Sequence, residues 1–195
     1  IRAIERQSKA NSAYDMGASN AITAGRGWIR IGTDYAEGLS FDQDIFIERV
    51  MNFESVYINP QSTSIDGSDI EYAFIFDDIS HDEYKSRFPD EEIVEFATSD
   101  TTWTDENTVR IAEYFYKEFD EREIVLTEDD EVLTRAEADL LIESGLLEEE
   151  SIVDTRTAKF PVIKHCLLNG EKILEKTDWA GKYIPIVPVY GEEAY

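Results

Sequence analysis

Few residues in this chain can do chemistry, and their spacing decides whether any act together. His165 and Cys166 place a base beside a nucleophile. They sit in apolar text that predicts a strand, where neighbouring side chains point to opposite faces and cannot meet. Cys166 is the single cysteine, which predicts a buried structural residue and no disulfide within the chain. His81 lies between Ser80 and Asp82 at a helix start, the setting of a surface residue. Two histidines and one cysteine are too few for a zinc centre.

The glycine and acidic motifs fall short as well. Gly17-x-Ser19 lacks the second glycine of a nucleophile elbow, because Ala21 stands in its place, and it lies inside a predicted helix. Gly25-x-Gly27 precedes a strand and has no third glycine, the reverse of a dinucleotide fingerprint. "DGSDIE" at 66–71 offers oxygen ligands without EF-hand spacing; an incidental calcium or magnesium ion is the most it implies. With 43 acidic residues, a carboxylate pair for glycoside hydrolysis carries no information. No catalytic, cofactor-binding or metal-binding residue is assigned, no cofactor is expected, and the chain does not read as an enzyme.

The elements that would position these residues read as α+β text. Residues 1–24 predict one helix with a weak stripe of Ala3, Ala10, Tyr14, Ala18 and Ala21, stopped by the glycines of "GRG" at 25–27. "WIRIGTDY" predicts a strand, 44–60 one or two more, and 70–76 another after a turn at Asp66-Gly67. Ser80, with Glu83 three residues on, caps a short helix that Pro89 ends, and a polar connection with Trp103 fills 91–108. Residues 108–126 form a strand, "TEDDEVL" an acidic turn, and Thr134 with Glu137 opens a helix running to Gly145. Asn169-Gly170 predicts a two-residue hairpin turn, with positive φ at both residues, inside 157–178. "KYIPIVPVYGEE" (182–193) is apolar and β-branched, but its prolines push it to a sheet edge or out of a sheet. The absence of βαβ rhythm favours antiparallel hairpins over a parallel sheet.

Charge narrows the function classes. Of the net −25, residues 61–150 hold 29 acidic against 6 basic side chains, while 1–60 and 151–195 are nearly balanced. That middle is a solvated face, or a surface that repels polyanions or attracts a basic partner. The basic footprint of a nucleic-acid grip is missing. No apolar run approaches the ~20 residues of a transmembrane helix, so no membrane partner is expected. No signal peptide is evident, and a reducing, cytoplasmic site of synthesis follows. A first residue of Ile1 reads as a piece of a longer chain.

Three stretches then combine in order. "AITAGRGWIRIGTDY" carries Gly25, Gly27, Trp28 and Tyr35; "TVRIAEYFYKEF" carries Ile111, Ala112, Glu113 and Tyr114; and "VIKHCLLNGEKIL" leads to the proline-rich Ile184 to Glu192. Together they resemble the portal proteins of short-tailed bacteriophages of the Salmonella phage P22 type. The resemblance spans most of the chain and is weakest over 120–150. It implies a structural part of a dodecameric ring at one capsid vertex, a head-to-tail connector through which DNA enters and leaves. The implied partners are other copies of the chain, terminase, capsid coat protein and tail or head-completion proteins. Double-stranded DNA would pass through without specific binding. The implied place is the virion, after assembly in the bacterial host cytoplasm. The family brings no catalytic residues. Residues 1–100 would form a wing-like part, and 101–195 a hairpin-rich part with one helix leading toward stem and clip. The arm at 182–193 would cross between subdomains without pairing, or its Tyr183, Ile184, Ile186 and Val187 would cover the domain's own core. The alternative is a non-enzymatic acidic binding module that docks a basic protein partner. A hydrolase with unfamiliar motifs is a third class, and it would need a cleft holding a carboxylate of strongly shifted pKa.

Overall fold

The computed structural model describes residues 1–36, 40–93, 103–105 and 107–191. These fall into two compact units, one of residues 1–117 with 163–195, the other of residues 118–162. Most of the polar connection expected at 91–108 lies outside the described residues. The architecture is α+β, with antiparallel sheets and short helices, as the sequence predicts.

In the first unit the predicted N-terminal helix is two helices, α1 (Arg2–Gln7) and α2 (Asn11–Ala24). Lys9 adopts a left-handed φ of 51°, which ends α1 and resets the helical phase. The expected stripe shifts accordingly. Ala10, Ala13, Gly17 and Ala21 are buried, whereas Ala3, Tyr14 and Ala18 face solvent. Gly25 closes α2 at φ 81°, and its N–H donates to the Ala21 carbonyl. The small-residue face lets α2 lie directly on the strand that follows, β1 (Arg26–Tyr35). At Gly27 the approach is so close that a Cβ would collide with the Gly17 carbonyl.

β1 is the middle strand of a three-stranded sheet, between β2 (Gln43–Arg49) and a late strand at Ile186–Tyr190. That late strand is the proline-rich arm. It pairs antiparallel with β1, placing Val187 opposite Ile29 and Pro188 opposite Trp28, so the expectation of an unpaired crossing segment is corrected. The edge position explains the pairing: one side of an edge strand has no ladder to fill, so proline's missing donor is tolerated there. The Pro185 carbonyl still accepts from the Ile31 N–H at 2.9 Å.

The second sheet has the order β3 (Val56–Ile58), β4 (Tyr72–Ser80), β5 (Thr108–Thr127), β7 (Ile152–Leu168) and β8 (Ile173–Trp179), and the arm is β9. Ala73 and Ile75 of β4, Phe115 of β5 and Ile163 of β7 meet Trp28, Ile184 and Ile186 in one buried cluster. Burying side chains of this size is worth roughly 1.5–3 kcal/mol each, which makes the cluster the main attachment between the two sheets. The Trp28 indole Nε1–H donates to the Phe53 carbonyl at 3.0 Å, so its one polar atom is satisfied. Further along the same face, α3 (His81–Arg87) covers Ile79, Val109, Ile111 and Leu167 with Tyr84 and Phe88. The Ser80 hydroxyl caps α3 by accepting from the Glu83 N–H.

The β7–β8 turn departs from its two-residue expectation. It runs over 169–172, with a register shift at Leu167/Leu168, and only Gly170 has positive φ, at 91°. Asn169 is buried rather than exposed at a turn tip, and its amide explains the longer loop. Its Nδ2 donates to the Tyr84 hydroxyl at 2.9 Å, while its Oδ1 accepts from the Glu171 and Lys172 N–H groups.

The second unit holds the outer halves of β5 and β7, with β6 (Val132–Thr134) and α4 (Arg135–Glu143). Thr134 and Glu137 form the reciprocal capping box that their spacing predicts. Its buried apolar residues are Ile124, Val125 and Ala138. Acidic residues outnumber basic ones in it by 15 to 4.

Candidate functional site

The residues singled out for chemistry are kept apart by the fold. Cys166 is buried in β7, and His165 points to the opposite face, so no dyad forms. Asp66 and Asp69 are occupied by their own loop. Asp69 accepts from the Thr63 N–H, the Ser62 hydroxyl and the Ser64 N–H, which hold its carboxyl far below the ordinary aspartate range. Asp66 accepts from the Ser68 N–H and is lowered for the same reason. Among the described residues no group of three or more His, Cys, Asp or Glu side chains is placed to hold a metal ion. No described helix is long and apolar enough to cross a membrane.

The sequence reading missed a polar cluster between the sheets. Arg30 of β1 reaches across to Glu113 of β5, with its Nη2 2.7 Å from Oε2. His165 of β7 stands on the other side of that carboxylate, its Nε2 3.5 Å away. Its Nδ1 lies 3.1 Å from the Thr177 hydroxyl, and its ring stacks on Phe115 at 4.6 Å. Burial pushes the Glu113 carboxyl up, but His165 and Arg30 outweigh it and the group is held below the usual glutamate range. The cluster has no nucleophile and lies against packed side chains, so it fastens one sheet to the other. The available signal was a charge in an inward register: Glu113 falls between Ile111 and Phe115 on the face that must be apolar.

The second arrangement is an aromatic surface. β4 turns Ala73, Ile75 and Ile79 inward, and therefore turns Tyr72, Phe74 and Phe76 outward. Beside them stand Tyr57 of β3 and Tyr114 and Tyr116 of β5. Phe74 stacks on Tyr114 at 4.3 Å, Tyr114 on Tyr116 at 5.0 Å, and Tyr57 meets Phe76 edge-on at 5.6 Å. Trp103 closes one end against Phe76. Tyr57, Tyr72, Phe74, Phe76 and Trp103 line an open cleft of about 990 Å³ whose charged residues are Glu54, Asp78, Arg110, Glu171 and Lys172. Asp78 grips Arg110 through both carboxylate oxygens at 2.7 and 2.9 Å. The cleft offers stacking surface and charge, and no assembled proton-transfer pair.

Comparison with known proteins decides the family. The model of the phage P22-like portal protein family matches residues 1–195. The chain belongs to that family. A curated portal protein of Acyrthosiphon pisum secondary endosymbiont phage 1 is 27% identical to it over 211 residues, covering 98% of this chain. The chain spans 29% of the length of that relative. Gly25, Gly27 and Trp28, which carried the resemblance, sit at the α2–β1 junction. Ile111 to Tyr114 lie at the centre of the larger sheet, and Ile184 to Tyr190 complete the smaller one. The three portal-like stretches therefore occupy the places where the first unit is held together.

Proposed function

We propose that this chain is a non-enzymatic wall element of a portal ring at a phage capsid vertex, part of the conduit through which double-stranded DNA is packaged and ejected. The observation that carries this reading is the family match over residues 1–195. The charge distribution supports it. A conduit must let a polyanion slide, and 29 acidic against 6 basic side chains over 61–150 disfavour any grip on phosphate. In this reading the chain supplies the wing side of the subunit, with its later part leading toward stem and clip. Its partners are other copies of the subunit, terminase, coat protein and tail or head-completion proteins, and its place is the virion after assembly in the host cytoplasm. The two sheets, joined by a buried core and an ion-paired cluster, suit a part that must keep its shape under load.

Electron microscopy of the full-length protein containing this chain tests the proposal. Closed rings with a central channel are expected. A full-length protein that stays monomeric, and whose loss still leaves phage heads filled with DNA, overturns it.

A further inference from the structure

We propose that the outward face of the β3-β4-β5 sheet is a docking surface for a cationic protein segment, whose arginine or lysine side chains lie over Tyr57 and Tyr72. This does not depend on the ring reading; it follows from the rings, their rim and the charge around them. Tyr57 is 58% exposed and Tyr72 36%, and both belong to a continuous set of stacked and edge-on rings, Tyr57 through Phe76 and Tyr72 through Phe74. Aromatic faces carry negative potential and attract cations, and this surface already uses that attraction: the Lys176 ammonium sits 6.0 Å from the Tyr116 ring.

The rim of the cleft is prepared for positive charge. Its two cations are neutralised, Arg110 by Asp78 and Lys172 by Glu91. Glu54 and Glu171 have no basic side chain within ion-pair distance among the described residues. The net charge of −25 adds long-range attraction for a basic segment and repels nucleic acid. A basic partner was an expectation from the acidic middle of the sequence. The structure moves the contact from the acidic surface at large to this aromatic face.

The test is calorimetric titration of the chain with an acetylated, amidated hexapeptide of alternating arginine and leucine, beside its glutamate counterpart, at about 0.15 M salt. Saturable binding of the arginine peptide alone is expected. Tyr57→Ser with Tyr72→Ser, which leaves the charge unchanged, should weaken it roughly tenfold. Glu128→Gln with Asp129→Asn, at a turn in the other unit, should leave it within about twofold. Should the double tyrosine variant lose its melting transition, Tyr57→Ser alone serves, with a loss of roughly threefold. Three results overturn the proposal: no saturable binding; binding insensitive to the tyrosines, which marks diffuse electrostatics; or self-association of the chain that sedimentation shows to vanish with Tyr57→Ser, which assigns the face to a second copy.

Discussion

At the scale of single residues, Glu113 and Gly170 show how much a buried charge or a left-handed backbone constrains. Glu113 is held below the usual glutamate range against the pull of burial, so the folded protein binds that proton more weakly than the unfolded chain does. The stabilisation is complete above the ordinary value of 4.5 and is lost as pH falls through and below it. Glu113→Gln should cost about 1–3 kcal/mol at neutral pH, because Arg30 keeps a charge with its partner weakened. Melting of both proteins from about pH 7 down to about pH 4 should show the gap narrowing toward acid. A gap independent of pH would exclude the carboxylate as its source. Gly170 combines a φ of 91° with contact to Trp103, whose ring carbon would lie 2.6 Å from an added Cβ. Gly170→Val should therefore cost about 1–3 kcal/mol, and an unchanged melting temperature would refute the turn geometry.

At the scale of elements, the contact of α2 with β1 depends on the absence of side chains. A Cβ on Gly27 would meet the Gly17 backbone, nearest at its carbonyl oxygen, with no flexible side chain to move aside. Gly27→Ala should push the helix off the sheet at a cost of about 1–3 kcal/mol, the range for overpacking. Because β1 is also the central strand between β2 and β9, hydrogen exchange in all three strands should accelerate together. Faster exchange confined to α2 would show that the helix is a passive cover. The arm itself illustrates the same logic. Its prolines exclude it from the middle of a sheet, yet Pro188 is buried opposite Trp28 because an edge needs fewer donors.

For the whole molecule, the decisive quantity is where the negative charge lies. Residues 118–162 carry 15 acidic and 4 basic side chains, and few apolar residues are buried there. Duplex DNA meeting the chain finds carboxylates in place of the clustered lysines and arginines that release counterions. The main cations near a strand are partly used: Arg30 serves Glu113, and Lys164 is 2.8 Å from Asp178. A fluorescence-anisotropy titration at physiological salt should give no binding of duplex DNA. Micromolar, salt-sensitive binding would contradict both the charge argument and the picture of a passive conduit.

The sequence by itself determined the helix caps, the α+β pattern and the family. Caps at Ser80 and Thr134, the stop at Gly25 and the α+β pattern depend on neighbours within a few residues, and those interactions survive in any surrounding fold. Tertiary structure decided what lies far apart in the chain. Arg30 and Glu113 are 83 residues apart, and only the stacking of two sheets brings them together. The Asn169 turn lengthened because a tyrosine 85 residues away takes its amide into the core. The aromatic face could be listed from β4 and β5 alternation, but which side of the sheet stayed open was settled by where Trp28, Ile184 and Ile186 found their burial. Strand periodicity names two faces and does not rank them; the hydrophobic effect ranks them once distant segments have met.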